Sequence, residues 1–600
     1  MLSFFMSLNT SIKIMTMLTF KNLTLSLEIW LILIIFGVYA FGTATTQHYL
    51  PSQIDFIPNI TVIGLLCLGL AYLLTKVRIK NIGLDSIFWL LLFLLVLIQP
   101  FFIQYAYLDG IIFSLAAILV CLILSIVINN IPDKTKLAYY SAFGFVTVAL
   151  LNTIFQGLQY FNLSDLWFVM EMKGNRFYGN VAQPNQLAFI YALGIVACHY
   201  LIVKRESKRY LIFIALILLT TGLALTSSRG GLILGLASFL IYALNIKKIP
   251  NAKTVLVAIA TSVIGFLFGS YLLTIHKLSS EDTLSRVITG DNAARVELIQ
   301  QAWVQFLHHP LLGVGFGNLL ADSLEHLEQV DWFVFNIHSH NIIMQFAAEF
   351  GLLGLALLVM VAFIIFKSYW QSRSLESSFI FVALAVVGFY SLSEYPLWYT
   401  RFLVIAVFLL AVINNKTMKV DIDLNKLFIG IVATSIVASV YYYQSYKEYH
   451  RVNTYLNYYA SLDNSNLTES EKEEIVQIQQ QMLTSLPSVF GFSAYKEFFI
   501  YHLLPKDNRD LEERINLGSR VLTKFLTLDI LLKQALYLGL NDQPKEALYL
   551  YEGACILDHS RNCDVVTEHI NELADSYEQF DDIRKAYNKW ESDNQAKIKK

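Results

Sequence analysis

The sequence predicts an all-α polytopic membrane protein of about 13 transmembrane helices, with a large periplasmic loop and a C-terminal helical domain. Three observations predict it. Mean hydropathy is +0.53, 56% of the 600 residues are hydrophobic and only 15% are charged. Uncharged apolar runs recur at lengths suited to ~30 Å of hydrocarbon, which takes roughly 20 helical residues. After about residue 444 the composition turns abruptly to charged and aromatic residues with helical periodicity and no further span.

The 44 Lys+Arg and 46 Asp+Glu leave a formal charge of −2. That balance excludes a broadly basic nucleic-acid surface. Five cysteines without a C-x-x-C pair exclude a disulfide scaffold and give no sign of a zinc or redox centre. The first residues lack the charged–apolar–cleavage pattern of a removable signal peptide.

In order, the apolar runs cover residues 27–43, 57–75, 84–103, 110–129, 138–157, 186–203, 210–226, 230–245 and 254–275, then 341–366, 378–392, 398–414 and 427–443. The expected organisation is a cytoplasmic N-terminus over 1–26, nine spans over 27–275, a large periplasmic loop over 276–340, four spans over 341–443 and a periplasmic helical domain over 444–600. Orientation follows from loop charge. Alternate loops carry Lys76, Arg78 and Lys80; Lys134 and Lys136; Lys204, Arg205, Lys208 and Arg209; and Lys247, Lys248 and Lys253. Loops 44–56 and 104–109 on the opposite side carry no Lys or Arg.

Basic residues kept on the outer side therefore stand out: Arg176, Arg229, Arg286, Arg295 and Arg401. Each alone reads equally well as a snorkelling or locally paired cation. They sit, however, among other polar groups. Gly174 to Gln186 places Arg176, Asn180, Gln183, Asn185 and Gln186 directly before a span. These amides suit hydrogen bonding to a sugar, phosphate or peptide, or plain helix capping at Pro184. Ser228-Arg229-Gly230-Gly231 fills a tight connection, read either as a turn or as a guanidinium facing a phosphate.

The long loop carries Arg295 ahead of an amphipathic stretch to Trp303, then His308-His309-Pro310-Leu311-Leu312-Gly313-Val314-Gly315-Phe316-Gly317-Asn318. No Lys-Ser/Thr follows these glycines and no strand precedes them, so a phosphate loop is rejected. Adjacent His308 and His309 are poorly placed to hold one metal ion and read as structural. His338-Ser339-His340-Asn341 closes the loop, and Asn341, Gln345 and Glu349 then recur on one helical face. An imidazole there suits a general base. Glu394-Tyr395-Pro396 to Arg401 fills a last outer connection, where aromatics also suit an interfacial belt.

Taken together, Ser228-Arg229-Gly230, Arg295 before Trp303, His309-Pro310-Leu311-Leu312-Gly313-Val314-Gly315, His340-Asn341 and Glu349-Phe350-Gly351-Leu352-Leu353-Gly354 resemble the O-antigen ligase (Wzy_C) superfamily. Gly179 to Gln186 and Glu394-Tyr395-Pro396 resemble its PglL-type protein O-oligosaccharyltransferase branch. The resemblance covers about residues 170–410. It implies a bacterial inner-membrane enzyme with its active site on the periplasmic face. The donor would be an undecaprenyl-diphosphate-linked oligosaccharide, and the acceptor a Ser or Thr hydroxyl of a pilin or other exported protein. It further implies His340 as the catalytic histidine, and Arg229 and Arg295 on the donor diphosphate. Arg176, Asn180, Gln183, Asn185, Gln186, His338, Asn341, Gln345, Glu394, Tyr395 and Arg401 are expected to bind substrate or support the site.

That chemistry needs no cofactor and no metal. An alcohol is a poor nucleophile at neutral pH, and a positioned imidazole accepts its proton as the bond forms. Guanidinium groups stabilise the charge that grows on the leaving diphosphate. Direct displacement would invert the anomeric centre. The partners expected are the donor, the acceptor protein and membrane lipid, with no nucleic acid. A lipid A-core O-antigen ligase or an O-antigen polymerase would use the same donor. A secondary transporter, from another class, would instead show internal repeats and mid-membrane charge.

In the tail, Ala535, Tyr537, Leu538, Gly539, Glu546, Ala547, Leu548, Tyr551, Ala554, Leu557 and Asp558 resemble one tetratricopeptide hairpin. Cys555 and Cys563 are placed to form a local disulfide if that compartment is oxidising.

Overall fold

The computed structural model of the chain describes residues 25–48, 55–172, 174, 176–206, 209–249, 251–276, 293–330, 333–335, 337–420, 423–460, 468–485, 489, 491–557 and 562–598. The expected N-terminal segment through residue 24, Asn175, Arg286, Asp291 and Asn292 lie outside them.

Helices dominate. The first half holds α1 (Leu27–Ala44), α2 (Phe56–Lys76), α3 (Leu84–Ile98), α4 (Asp109–Asn129), α5 (Lys134–Tyr160), α6 (Pro184–Lys204), α7 (Arg209–Leu225), α8 (Arg229–Ala237), α9 (Leu240–Leu244) and α10 (Ala252–His276). The segment after α10 contributes α11 (Ala293–His308) and α12 (Leu319–Ser323), and the remaining apolar helices are α13 (Ile342–Ser372), α14 (Leu375–Ser391), α15 (Thr400–Ile413) and α16 (Asn425–Ala460). The tail adds α17 (Glu469–Ser485), α18 (Ser493–Leu503), α19 (Leu511–Leu522), α20 (Leu528–Leu540), α21 (Pro544–Cys555), α22 (Cys563–Ser576) and α23 (Phe580–Ile598).

Among the described residues, nine helices are long and apolar enough to cross a membrane. Four shorter apolar stretches, Arg209–Leu225, Arg229–Leu244, Leu375–Ser391 and Thr400–Ile413, occupy the remaining predicted runs. The chain is an all-α polytopic membrane protein.

Helix α6 is the axis of the bundle. Every residue from Gln186 to Val203 is buried, so it is apolar all round, as a helix enclosed by others must be. It packs against α5, α7, α8 and α14. Its N-terminus therefore emerges at the centre of one face of the bundle, which decides where the Asn185-Gln186 pair sits.

Two features depart from the sequence reading. The last span does not end at 443: α16 runs on to Ala460. No Gly or Pro interrupts residues 431–460, and Tyr446, Tyr449 and Val452 form a buried cluster with Ile57, Val489, Phe492 and Phe499. A rigid helix thus carries the membrane domain into the tail. Within a fold expected to be all-α, the loops after α2 and α15 pair as an antiparallel ribbon, Asn81–Gly83 with Thr417–Lys419. In the tail, α20 and α21 form the expected helical hairpin and pack on α19 and α23. Cys555 and Cys563 are joined by a disulfide.

Candidate functional site

The starts of α6, α8, α11 and α13 meet at the N-terminal end of α6, and side chains near each of them form one hydrogen-bonded and ion-paired set. Gln183 caps α6, accepting from the Gln186 amide at 2.7 Å. Ser228 caps α8, accepting from the Gly231 amide at 3.0 Å. Asn341 caps α13, accepting from the amides of Ile343 and Met344 at 3.0 and 3.2 Å. These residues satisfy helix-end N–H groups that have no partner within their own helix.

Asn185, in the first turn of α6, is the hub. Its Oδ1 accepts from Arg176 Nη2 at 3.0 Å and from Ser228 Oγ at 2.8 Å. Its Nδ2 donates to Glu394 Oε1 at 2.9 Å. The same carboxylate oxygen accepts from Arg295 Nη2 at 2.5 Å. The other, Glu394 Oε2, lies 3.2 Å from His340 Nδ1. Residues 176, 185, 228, 295, 340 and 394, from five separate segments, thus form one connected set. Arg229 opens α8 directly after Ser228 and is partly exposed.

A second network lies next along α6. Arg401, only 1% exposed, donates to Gln186 Oε1 at 2.5 Å and to Asp55 Oδ1 at 3.0 Å. Its Cζ lies 4.7 Å from the Tyr399 ring centre. His48 Nδ1 holds the same Asp55 oxygen. Burial alone would raise the Asp55 carboxyl, but Arg401 and His48 together hold it below its ordinary value. Arg401 is consequently a support for α6 and out of reach of a ligand. Asp55 and His48 belong to neither the basic residues nor the amides that mark the other polar loops. As the one imidazole and the one carboxylate of a loop without Lys or Arg, they are the available signal.

His338 and His340 differ sharply. The His338 ring stacks on Tyr395 at 4.4 Å and against Trp398 at 4.9 Å. Burial, reinforced by His340, pushes its pKa down to about 3. His338 is a neutral element of an aromatic wall. His340 meets Tyr395 edge-on at 4.8 Å and turns its Nδ1 to Glu394. Its backbone φ is +52°, in the left-handed region that L-residues adopt at a cost of order 1–3 kcal/mol. Ala182 (+69°), Ser227 (+48°) and Asp55 (+61°) share that conformation in the segments feeding the two networks.

Other predicted residues serve the scaffold. Asn180 holds three backbone groups, accepting from Met170 N and donating to Ala44 O and Phe168 O. Gln345 accepts from the Ser339 amide at 2.7 Å, fixing the turn that presents His340. The glycine-rich loop docks on a break in α13. Gly351 there has φ +61°; Val314 N and Gly315 N donate to Ala348 O and Glu349 O, and Leu352 N donates to Pro310 O. A Cβ on Gly313 would lie 2.3 Å from the Glu349 carbonyl carbon. The glycines allow backbone to approach backbone, a use unrelated to phosphate. Apart from this set, His309, Asp322 and His326 bring three ligand atoms within 4.8 Å of one another.

Residues 214–359 match the family model described as O-antigen ligase, and residues 379–557 match that described as virulence factor membrane-bound polymerase, C-terminal. A general O-oligosaccharyltransferase of Acinetobacter baylyi is 26% identical over 295 residues, 48% of this chain and 52% of that protein. The chain thus spans about half the length of the curated relative it matches. Arg229, Arg295 and His340 fall within the first family match and Glu394 and Arg401 within the second, whereas Arg176 to Gln186 lie outside both.

Proposed function

From the match of residues 214–359 to the O-antigen ligase family model, we propose that this membrane chain is a member of that family and an oligosaccharyltransferase. In this reading it moves a glycan en bloc from undecaprenyl diphosphate to Ser or Thr hydroxyls of exported proteins. The observation that carries the reading is the Glu394 carboxylate shared between His340 and Arg295. One anion orients both the group that takes a proton and a cation suited to the leaving diphosphate.

With Nδ1 turned to Glu394, His340 takes the acceptor proton on its Nε2 in this reading. The hydroxyl oxygen bonds to the anomeric carbon as the bond from that carbon to the diphosphate oxygen breaks. The proton goes to His340, and the electron pair leaves with undecaprenyl diphosphate. Arg229 and Arg295 stabilise that charge, aided by the positive ends of α6, α8 and α13. Inversion at the anomeric carbon follows from such a displacement. A periplasmic placement is supported by the loop-charge pattern and by the Cys555–Cys563 disulfide, since disulfides persist in oxidising compartments.

The test is to express the chain with a lipid-linked glycan pathway and exported proteins, then search for modified Ser or Thr by mass spectrometry. Glycopeptides with the wild type, and a loss of about 10²–10⁴ with His340→Ala at equal membrane level, are expected. Glycan found only on lipid A-core or as longer polymer would transfer the reading to the ligase or polymerase activity, in line with the polymerase family match over residues 379–557.

A further inference from the structure

We propose that His309, Asp322 and His326 form a zinc-type divalent-cation site that fastens α11 to the segment on which the tail helices pack. It shares no residue with the His340–Glu394 set.

The geometry is that of convergent ligands. His309 Nε2 lies 3.0 Å from Asp322 Oδ1, and His326 Nε2 lies 3.8 Å from Asp322 Oδ2. All three ligand atoms fall within 4.8 Å of one another. A tetrahedral zinc with ligand bonds of about 2.0–2.2 Å separates its ligand atoms by roughly 3.4 Å. The two His–Asp separations, each to a different oxygen of the Asp322 carboxylate, bracket that value, and all three ligand atoms lie within 4.8 Å, so rotation of the carboxylate and of the exposed His309 ring draws them together around an ion. Asp322 Oδ2 is buried and receives no hydrogen bond, which is costly for a carboxylate oxygen unless a cation reaches it. His309 is the exposed member, at 46% against 11% for Asp322, leaving one side open for a water as fourth ligand.

The surroundings support the same reading. His308 stacks parallel on His326, with ring centres 4.1 Å apart and planes within 9°. His308 Nε2 is in turn 3.1 Å from Gln329 Oε1. The adjacent histidines therefore divide their work: His309 is a ligand and His308 orients one. Two imidazoles and a carboxylate suit zinc, whereas calcium and magnesium favour all-oxygen sets.

Position gives the site its consequence. His309 follows α11, whose other end carries Arg295, and it precedes the loop docked on α13. Asp322 and His326 lie on the segment whose Leu320 and Leu327 enter the tail core with Tyr551 and Ala554. Tyr549 Oη donates to Leu324 O there, at 2.9 Å. A bound ion links the arginine-bearing helix to the C-terminal domain.

The test uses the tag-free full-length chain in detergent, stripped with chelator and titrated with zinc chloride alone. About one zinc per chain is expected by elemental mass spectrometry, with a rise in unfolding temperature, because an ion that binds only the folded state stabilises it. Both should vanish in Asp322→Asn and in His326→Gln, the second guarding against a misfolded first variant, and persist in His308→Ala. Wild-type protein holding less than about 0.1 zinc per chain, or undiminished zinc in a folded Asp322→Asn or His326→Gln, would overturn the site. A magnesium-induced shift equal to that of zinc would overturn its zinc character. None of these readouts depends on glycan transfer.

Discussion

Glu394 faces His340 with one carboxylate oxygen, 3.2 Å from the ring Nδ1, while its other oxygen accepts from Arg295 and Asn185. Three segments distant in sequence are thereby held by a single side chain. Glu394→Gln should lower transfer by about 10–100-fold, the scale of losing a partner that orients a functional histidine. The loss should fall on kcat more than on donor KM, with partial recovery in Glu394→Asp. A variant of wild-type kcat, measured with purified donor and acceptor, removes Glu394 from its positioning role.

Arg229 and Arg295 are the cations assigned to the leaving group. Replacing either by Lys keeps the charge but loses the planar pair of donors that matches a phosphate. Each of Arg229→Lys and Arg295→Lys is expected to cost about 10²–10³ in turnover, by comparison with removal of one preorganised donor elsewhere. Quantitative glycoprotein assay at matched expression checks this. Wild-type turnover in both would end the assignment.

His338 and His340 should separate by chemistry. Since His338 is pushed down to about 3 by burial and stacks on Tyr395 and Trp398, it has no proton-accepting task near neutrality and acts as an aromatic plate. His338→Phe should therefore retain far more transfer than His338→Ala, and His340→Phe should retain none. The reverse ranking would move the base to His338.

A pH-dependent stability term is built into the contact between the outer loop and the tail. Burial, then the charge of Glu328, pushes the Glu552 carboxyl up to about 7. The folded state therefore binds more protons than the unfolded one between its unfolded value, near 4.3, and about 7. Its contribution is present below that window and lost as pH rises through it. Glu552→Gln should raise the unfolding temperature at pH 8 and leave it unchanged at pH 4. The partly exposed position keeps the effect small. Equal unfolding temperatures at pH 8 would show that the strain is absent.

Much of the membrane architecture could be read directly. Each apolar run has a helix at its position, because twenty apolar residues in a row are a local property that needs no knowledge of neighbours. The outer-face residues were legible for a related reason: Arg229, Arg295, His340 and Glu394 are polar where the rest of the chain is not. What those residues do to one another was not legible. Asn185, a plausible helix cap, joins three side chains, those of Arg176, Ser228 and Glu394. Gln345 and Glu349, a polar stripe, are buried against protein: one orients the His340 turn and the other accepts from Gly317 N.

The sequence by itself determined the fold class, the approximate helix positions and the polar inventory of one face, since hydropathy and loop charge act residue by residue. Only the tertiary structure decided which of those polar groups meet. Arg401 and Asp55 stand 346 residues apart, and Glu394 and Asn185 stand 209 apart. No periodicity records such pairs. They form because α6 is enclosed by its neighbours, which brings several helix starts to one place. There, buried donors and acceptors without water must find each other.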